Sequence, residues 1–221
     1  MSARVCFGLM LVTDLQGLVP GCTLPDVVEG ALLGGVDAVQ LREKDLDQAE
    51  LLALACELRA LTRAHGAALI VNSHVEVALA AQADGVHLPS AMADVGAARA
   101  ALGEASLVGV STHSIADVEN AARAGADYVT FGPVHATPSK AGYGPPLGLD
   151  ALRQACAVAS AMPVFAIGGV RPQDAEDVIA AGARVAAISG LVHARDPREA
   201  AGRYAGQRVA ARHAECGDTC R

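Results

Sequence analysis

Two adjacent predicted strands end in polar residues within the stretch LIVNSHVEVALAAQADGVHLPS, residues 69–90. The first strand ends at Asn72 and Ser73, and the second ends at His87 and Ser90. Polar groups that follow neighbouring strands indicate a site, yet neither strand end offers a carboxylate. Magnesium, the usual metal partner of phosphate esters, is bound in proteins through carboxylate oxygens. The stretch therefore predicts a polar site without evident metal ligands.

A second group with chemical potential is QLREKD, residues 40–45. In an extended strand Gln40, Arg42 and Lys44 share one face. The guanidinium group is a planar fork and the ammonium group is a point charge, and together they suit a diphosphate or a phosphate ester. A solvated strand end with an Arg–Glu pair is the alternative interpretation.

A glycine pair in FAIGGVRPQDAEDVIAAG, residues 165–182, predicts a third polar site. Gly168 and Gly169 lie between a predicted strand and a helix whose first turn begins near Pro172. Bare backbone N–H groups in front of a helix form an anion cradle. The next predicted strand also ends in a turn of small residues, Ser189 and Gly190, and the two turns together predict a phosphate site.

The segment FGPVHATPSKAGYGPPLG, residues 131–148, is too long and too rich in Gly and Pro for an ordinary connection. It carries Thr137, Ser139 and Lys140, which can all donate to an anionic substrate. We therefore predict a lid over the site. An ordinary solvent loop is the alternative.

A repeated unit predicts how these residues are positioned. LLGGVDAVQL, AAQADGVHL, ARAGADYVTFG and IAAGARVAAISG each join an Ala-rich helix to a Val-rich run through a break, which is Gly in three of the four. Strands alternating with helices predict a parallel sheet. Eight such runs are predicted as strands: 7–13, 38–41, 68–71, 85–88, 107–110, 128–132, 164–167 and 185–188. We predict an α/β fold, a single-domain (β/α)8 TIM barrel, with chemistry at the carboxyl ends of its strands; a doubly wound open sheet is the alternative.

Bulk composition narrows the classes of protein further. The 221 residues are 52% hydrophobic, contain no Trp and carry a net charge of −7, which argues against nucleic-acid binding. Apolar runs are too short for a membrane helix. The cysteines, including Cys216 and Cys220, form no C-x-x-C pair, so we predict free thiols in a cytoplasmic protein. We predict one barrel domain over residues 1–205 and a polar tail over 206–221.

Several stretches in order along the chain resemble the superfamily of thiamine phosphate synthases and thiazole tautomerases. They are LVTD, QLREKD, VN followed by VALAAQADGVHL, GVSTHS, ADYVTFGPV with TPSK and PPLGL, and PVFAIGGV with AGARVAAISGL. The resemblance runs from about Leu9 to Arg195, which is most of the chain. It implies small-molecule substrates, thiazole phosphate and pyrimidine diphosphate, and allows a homodimer.

The resemblance also implies roles for individual residues. Residues that match those holding the thiazole phosphate in the superfamily are Gly168, Gly169, Ile188 and Ser189, and we add the neighbouring Gly190. Residues that match those binding the pyrimidine and its diphosphate are Gln40, Arg42, Lys44, Asn72, Ser111, Thr137, Ser139 and Lys140. Both sets coincide with the anion sites inferred from the residues alone.

Two aspartates that bind magnesium in the synthases are missing from this chain. Ser73 and Met92 stand at their positions, and Asp94 is two positions late. Ser is neutral and Met offers a soft sulfur, so neither suits Mg²⁺. Loss of both carboxylates, together with Pro89–Ser90, resembles the tautomerase branch, whose proton transfer requires no metal. A metal site or cofactor is therefore expected only if the chain is a synthase.

We accordingly predict a thiazole tautomerase-like isomerase that aromatises a carboxythiazole phosphate by moving a proton. His135 and Lys140 are its predicted catalytic residues, with His135 as acid and base because imidazole titrates near neutral pH. The tautomerase histidine has its counterpart at Pro133, and His135 lies two residues further on. His87 and His113 are predicted to pack or orient other groups. The alternatives are a thiamine phosphate synthase and a non-catalytic regulator that binds thiazole or thiamine phosphate.

Overall fold

The computed structural model describes residues 5–90, 93–137 and 144–206, and it confirms the predicted single-domain TIM barrel. Eight parallel strands pair in chain order, and β8 pairs with β1, so the sheet closes on itself. The strands are β1 (Leu9–Val12), β2 (Ala38–Leu41), β3 (Ala68–Asn72), β4 (Gly85–Leu88), β5 (Leu107–Thr112), β6 (Tyr128–Phe131), β7 (Val164–Ala166) and β8 (Arg184–Ala187). Each overlaps one of the predicted runs.

Helices connect the strands and cover the outside of the barrel. They are α1 (Leu24–Leu33), α2 (Gln48–Ala64), α3 (Val75–Ala80), α4 (Val95–Leu102), α5 (Ile115–Arg123), α6 (Gly148–Ala159), α7 (Ala175–Ala180), α8 (Ser189–Val192) and α9 (Pro197–Ala205). In α2 the buried side chains follow the helical period, with Leu51, Ala55 and Leu58 against the sheet. Asp47 caps this helix by accepting from the N–H of Glu50 at 2.9 Å.

The breaks between helix and strand share one backbone conformation. Gly35, Gly125 and Gly182 all have positive φ, as the sequence predicts for glycine after a helix. In the second repeat, AAQADGVHL, the same position is held by Gln82, which adopts a φ of 51° without being glycine. The geometry of the repeat therefore persists where the glycine is absent.

The apolar core has two layers. One layer lies between the sheet and the helices, and the other fills the barrel interior with side chains that include Phe7, Met10, Tyr128 and Phe165. Alternation along each strand produces this division, because successive side chains point to opposite faces. Gly109 lies opposite Tyr128 in the register of β5 and β6, and a side chain there would overlap the tyrosine ring. The glycine thus makes room for Tyr128 inside the barrel.

An aspartate directly precedes each of the strands β2, β4 and β6. Its carboxylate accepts a hydrogen bond from the start of the preceding strand, β1, β3 or β5 respectively. These inter-strand carboxylates are Asp37, Asp84 and Asp127. They accept from the backbone N–H groups of Leu9 at 2.7 Å, Leu69 at 2.7 Å and Val108 at 2.8 Å. A buried N–H requires an acceptor, so each carboxylate helps to hold two neighbouring strands in register at the amino-terminal end of the barrel.

Arginines complete this end of the barrel. Arg59 forms two hydrogen bonds with Asp84, of 2.6 and 2.9 Å, and Arg99 lies 2.8 Å from Asp127. Arg184, the first residue of β8, donates to the carbonyl oxygens of Val5 at 2.9 Å and Phe7 at 2.6 Å. The fourth repeat thus has a cation where the others have an aspartate, and this cation joins the last strand to the first.

The outer limits of the chain bear on two further predictions. None of the helices in the described ranges has the length and apolar character that crossing a bilayer requires. The predicted polar tail, with Cys216 and Cys220, lies outside the described residues apart from Gly206, which caps α9.

Candidate active site

The described candidate residues lie at the carboxyl-terminal end of the barrel. Ser139 and Lys140 fall outside the described residues. The other predicted site residues lie within or just after strands: Gln40, Arg42 and Lys44 on β2, Asn72 on β3, Ser111 on β5, His135 and Thr137 after β6, Gly168 and Gly169 after β7, and Ile188, Ser189 and Gly190 after β8. The fold therefore gathers at one end residues that are far apart in the chain.

A buried row of hydrogen-bonded side chains, Tyr128, His87 and Ser111, runs across the barrel interior to this end. The Nδ1 atom of His87 lies 3.2 Å from the hydroxyl oxygen of Tyr128, and its Nε2 atom lies 2.9 Å from the hydroxyl oxygen of Ser111. Thr130 Oγ1 is 3.4 Å from the same Nε2 atom. Only 2% of His87 is exposed, so these hydrogen bonds replace the water it has lost. Both ring nitrogens thus have partners inside the protein.

Burial keeps the two rings of this row, those of His87 and Tyr128, uncharged. It lowers the pKa of His87 to about 3, and the positive charge of Arg42 contributes to the same shift. Burial raises the pKa of Tyr128 far above its usual value, against the smaller opposing effect of a hydrogen bond with Gln40. At neutral pH the row therefore contains a neutral imidazole and a protonated phenol.

The loop after β2 is held by a half-buried carboxylate on the face opposite Arg42. Glu43 Oε2 accepts from the backbone N–H of Leu15 at 3.0 Å, while Oε1 is buried without a hydrogen-bond partner within the described part of the chain. Desolvation raises the pKa of Glu43, and a hydrogen bond from Thr13 opposes this. Thr13 in turn accepts from the backbone N–H of Arg42 at 2.9 Å. These contacts fix the backbone from which Arg42 projects.

The glycine pair after β7 has the conformation that an anion cradle requires. Gly168 and Gly169 both have positive φ, of 89° and 69°. Among the described residues their N–H groups donate to no backbone carbonyl. The carbonyl oxygen of Gly168 accepts from the N–H of His135 at 2.9 Å, which ties the cradle to the loop after β6. Ser189 and Gly190, predicted as a turn of small residues, instead begin the short helix α8 in the next unit, and the phosphate site shared by the last two loops stays a prediction.

Gly169→Ala is expected to raise KM for a phosphate ester bound at this cradle. A Cβ at this position would lie 2.6 Å from the carbonyl oxygen of Ala136 and 2.9 Å from His135 Cβ, and φ is positive. Strain of about 1–2 kcal/mol corresponds to roughly a 5- to 30-fold increase. Steady-state kinetics with thiazole phosphate would measure it.

The matched control for this substitution is Gly66→Ala. Gly66 has a similar φ of 65°, but a Cβ there would meet nothing within 4 Å. It lies just before β3, at the opposite end of the barrel. An equal rise in KM in both variants would show that general destabilisation, rather than loss of the cradle, is responsible.

His135, the predicted acid and base, is half-buried on the loop after β6. Its Nε2 atom is buried and has no hydrogen-bond partner among the described residues. His113, by contrast, lies 2.6 Å through Nδ1 from the carbonyl oxygen of Gly132 and so orients the start of the same loop. The acid and base role predicted for His135 belongs to the tautomerase reaction, so it depends on whether the protein catalyses that reaction.

Described residues at the exits of β3 and β4 do not fit a magnesium ion. Asn72 Nδ2 donates to Ser73 Oγ at 2.8 Å, and Ser73 has a φ of 66°. Asp94 is occupied as the cap of α4, since its Oδ1 atom accepts from the N–H of Ala97 at 2.8 Å. Within the described ranges no cluster of three or more His, Cys, Asp or Glu residues is placed to hold a metal. Met92 lies outside these ranges.

Two contributors to the site were not found from the sequence. Tyr128 was assigned only to a strand, and Glu43 only to an ion pair with arginine. A signal for Tyr128 existed, because alternation along β6 puts it on the same face as Thr130. No sequence signal shows that Glu43 binds the backbone of Leu15, since this contact joins the loops of two different units.

Comparisons with known proteins agree with this geometry. A family described as "Thiamine monophosphate synthase" matches residues 9–191. A Geobacter sulfurreducens protein named "Putative thiamine-phosphate synthase" is 48% identical over 200 residues, covering 90% of this chain and 93% of that protein. A Chloroflexus aurantiacus "Thiamine-phosphate synthase" is 43% identical, covering 87% and 88% of the two chains. The solved structure of a thiamine phosphate pyrophosphorylase from Pyrococcus furiosus has a TM-score of 0.82 at 32% identity and covers 93% of this chain and 97% of its own.

These relatives overturn the predicted tautomerase-like isomerase. Relatives at 43% and 48% identity over most of their length bear synthase names, and so does the family that covers the barrel. The prediction was wrong because it gave two missing carboxylates more weight than the anion-binding residues retained on β2. A synthase, the alternative weighed from the sequence, is a transferase rather than an isomerase.

Proposed function

The chain belongs to the thiamine monophosphate synthase family, and from this premise we propose that it couples hydroxymethylpyrimidine diphosphate to thiazole phosphate with release of diphosphate. Membership implies small-molecule substrates in thiamine biosynthesis. The observation that supports the proposal is that two separate groups of candidate anion-binding residues lie at one end of the barrel. One surrounds Arg42 and the other surrounds Gly168 and Gly169. Two phosphorylated substrates require two such regions.

On the β2 side, cationic and hydroxyl groups suit the diphosphate. Arg42 and Lys44 follow the end of β2, and Ser111 lies in β5 at the same end of the barrel. When the bond between the pyrimidine's carbon and the diphosphate oxygen breaks, its electron pair stays on the leaving oxygen. Donors and cations directed at that developing charge lower the barrel enzyme's activation free energy. Arg42, Lys44 and Ser111 are therefore proposed to stabilise the departing diphosphate.

On the β7 and β8 side, backbone groups suit a phosphate ester. Gly168 and Gly169 present N–H groups from positive-φ backbone, and Ser189 adds a hydroxyl group. Anchoring the thiazole phosphate here orients the thiazole toward the carbon that loses the diphosphate. Such orientation replaces a bimolecular encounter with a reaction between two bound groups. The new bond forms with an electron pair supplied by the thiazole.

No step of this proposal runs through a protein-held metal, since the described residues at the exits of β3 and β4 do not fit one. A hydrated magnesium ion can accompany a diphosphate through the phosphate oxygens. The protein's own contribution to charge neutralisation is assigned to Arg42, Lys44 and the hydroxyl donors.

Direct assay of the purified protein tests the proposal. Thiazole phosphate and pyrimidine diphosphate are supplied together, with and without Mg²⁺, and thiamine phosphate is followed through its fluorescent oxidation product. Product that requires both substrates is expected. Reactions that lack one substrate are the controls. Binding of both ligands without product at any Mg²⁺ concentration would contradict the proposal and favour the regulator considered from the sequence.

A further inference from the structure

We propose that Tyr128 and His87 are positioning residues that fix the Ser111 hydroxyl group as a hydrogen-bond donor toward the leaving diphosphate. The inference rests on the proposed function and deepens it, since it assigns a direction to the hydrogen bonds of one site residue. Neither buried ring touches substrate in this account. Both act through Ser111.

The geometry is a continuous row of hydrogen bonds. Tyr128 O lies 3.2 Å from His87 Nδ1, and His87 Nε2 lies 2.9 Å from Ser111 Oγ. Tyr128 is fully buried and His87 nearly so, whereas Ser111 is half-buried at the end of the row. The row therefore starts in the closed interior and ends where the barrel opens.

Because Ser111 Oγ lies closer to His87 Nε2 than Thr130 Oγ1 does, at 2.9 against 3.4 Å, Ser111 is taken as the partner, and counting hydrogens then leaves two arrangements of the row. Tyr128, the neutral His87 and Ser111 each carry one polar hydrogen. In the first arrangement Tyr128 donates to Nδ1, Nε2–H donates to Ser111, and the serine hydrogen points out of the row. In the second, the serine hydrogen points into the row, and every bond is reversed. Only the first offers a donor to a ligand.

Burial of Tyr128 favours the first arrangement. The phenol is fully buried, and among the described residues the acceptor within hydrogen-bonding distance of its hydroxyl group is His87 Nδ1, at 3.2 Å. A buried O–H group without an acceptor is costly, so Tyr128 donates its hydrogen to Nδ1. The Nε2–H tautomer of His87 follows.

The charge near the end of the row selects the same direction. Arg42 is close enough to His87 for its positive charge to lower the pKa of the ring. Arg42 and Ser111 lie at the same end of the barrel, so an anion attracted by the guanidinium group reaches the open end of the row and needs donors. A serine hydrogen turned into the row would instead present lone pairs to the anion. The first arrangement thus matches the charge of the proposed ligand.

A double-mutant cycle tests whether Tyr128 acts through Ser111. Ser111→Ala is expected to lower kcat about 100-fold, and Tyr128→Phe about 10-fold, both with smaller changes in KM. The double variant is expected to match Ser111→Ala, because Tyr128 has no effect once the hydroxyl is gone. A double variant that is another 10-fold slower would overturn the proposal.

The matched control removes a buried hydroxyl group elsewhere. Thr62→Val in α2 loses the hydrogen bond from Oγ1 to the carbonyl oxygen of Arg59, far from the site. Its kcat is expected to equal that of the wild type. A 10-fold lower kcat in this control as well would mean that the Tyr128→Phe effect reflects general loosening, and it would overturn the positioning role.

A second measurement needs neither variants nor turnover. Nitrogen-15 NMR of the wild-type histidines, with inorganic diphosphate bound, identifies His87 as the ring that stays neutral down to pH 5. We expect hydrogen on Nε2 and none on Nδ1, and hydrogen on Nδ1 would overturn the proposal. If the assay of thiamine phosphate formation fails while Nε2–H is observed, the proposed function fails and the row's direction stands.

Discussion

Replacing Arg42 with glutamine is expected to lower kcat/KM for the pyrimidine diphosphate by about 1000-fold. Glutamine keeps much of the length and the hydrogen-bonding capacity of arginine but removes the charge and the planar fork. The backbone of Arg42 is held just after β2 by the hydrogen bond from its N–H to Thr13 Oγ1, and the charge of its guanidinium group lowers the pKa of His87. No other described cation is shown to influence that ring.

The control for net charge is Arg153→Gln on α6. Arg153 is 54% exposed and pairs at 2.6 Å with Asp150, on the outside of the barrel. Both substitutions remove one positive charge from a chain with a net charge of −7. We expect the control to change kcat/KM less than about twofold at moderate salt, because distant surface charges are screened. Similar losses in the two variants would mean that Arg42 acts only through the overall field.

Asp127→Ala is expected to lower the free energy of unfolding by about 3–5 kcal/mol. The carboxylate is only 9% exposed, binds Arg99 at 2.8 Å, and accepts from the backbone N–H of Val108 at 2.8 Å. Its loss leaves the Arg99 guanidinium group without its anionic partner, although the carbonyl oxygens of Ser106 and Gly125 still accept from it, and it leaves the N–H of Val108 without this acceptor. Urea unfolding of the wild type and the variant would measure the difference in unfolding free energy, provided that the two proteins have the same m-value.

Asp150→Ala provides the comparison for an ion pair in water. It breaks the exposed pair with Arg153, for which about 0.5 kcal/mol or less is expected. If Asp127→Ala cost no more than this control, water would be replacing the inter-strand carboxylate, and its assigned role in strand register would be wrong. The candidate site lies at the opposite end of the barrel, so KM should stay unchanged where the variant is folded.

The fold was predictable because each unit repeats the same local signals. Val-rich runs, Ala-rich helices and a positive-φ break recur, and even Gln82 obeys the backbone pattern. The placement of Gln40, Arg42, Ser111 and Gly168 at one end follows from parallel strands alone. The contact between His87 and Tyr128 was not predictable, because it depends on the register of β4, β5 and β6 across the barrel interior.

The function was mispredicted because the sequence analysis misjudged which groups can neutralise the charge of the leaving group. Ser73 and Met92 were taken to disfavour the synthase, on the assumption that leaving-group charge must be neutralised by a protein-held metal. Arg42 and Lys44, which follow β2, were equally visible in the sequence and offer cations for the same task. A sequence does not provide the distances between groups. Without them, the effect of the two missing magnesium ligands cannot be compared with the effect of the two cations that are present.

Barrel closure has a consequence for how the chain folds. The bonds from Asp84 and Asp127 join residues 15 and 19 positions apart, whereas the bond from Arg184 to Phe7 spans 177. Closing the long loop directly from the unfolded chain costs about 2 kcal/mol more in entropy than closing the 19-residue loop. Neighbouring strands should therefore pair first, which leaves β1 and β8 as open edges that can capture another chain. Pulse-labelled hydrogen exchange would show β5 and β6 amides protected before those of β1 and β8, and the reverse order would refute this sequence of events.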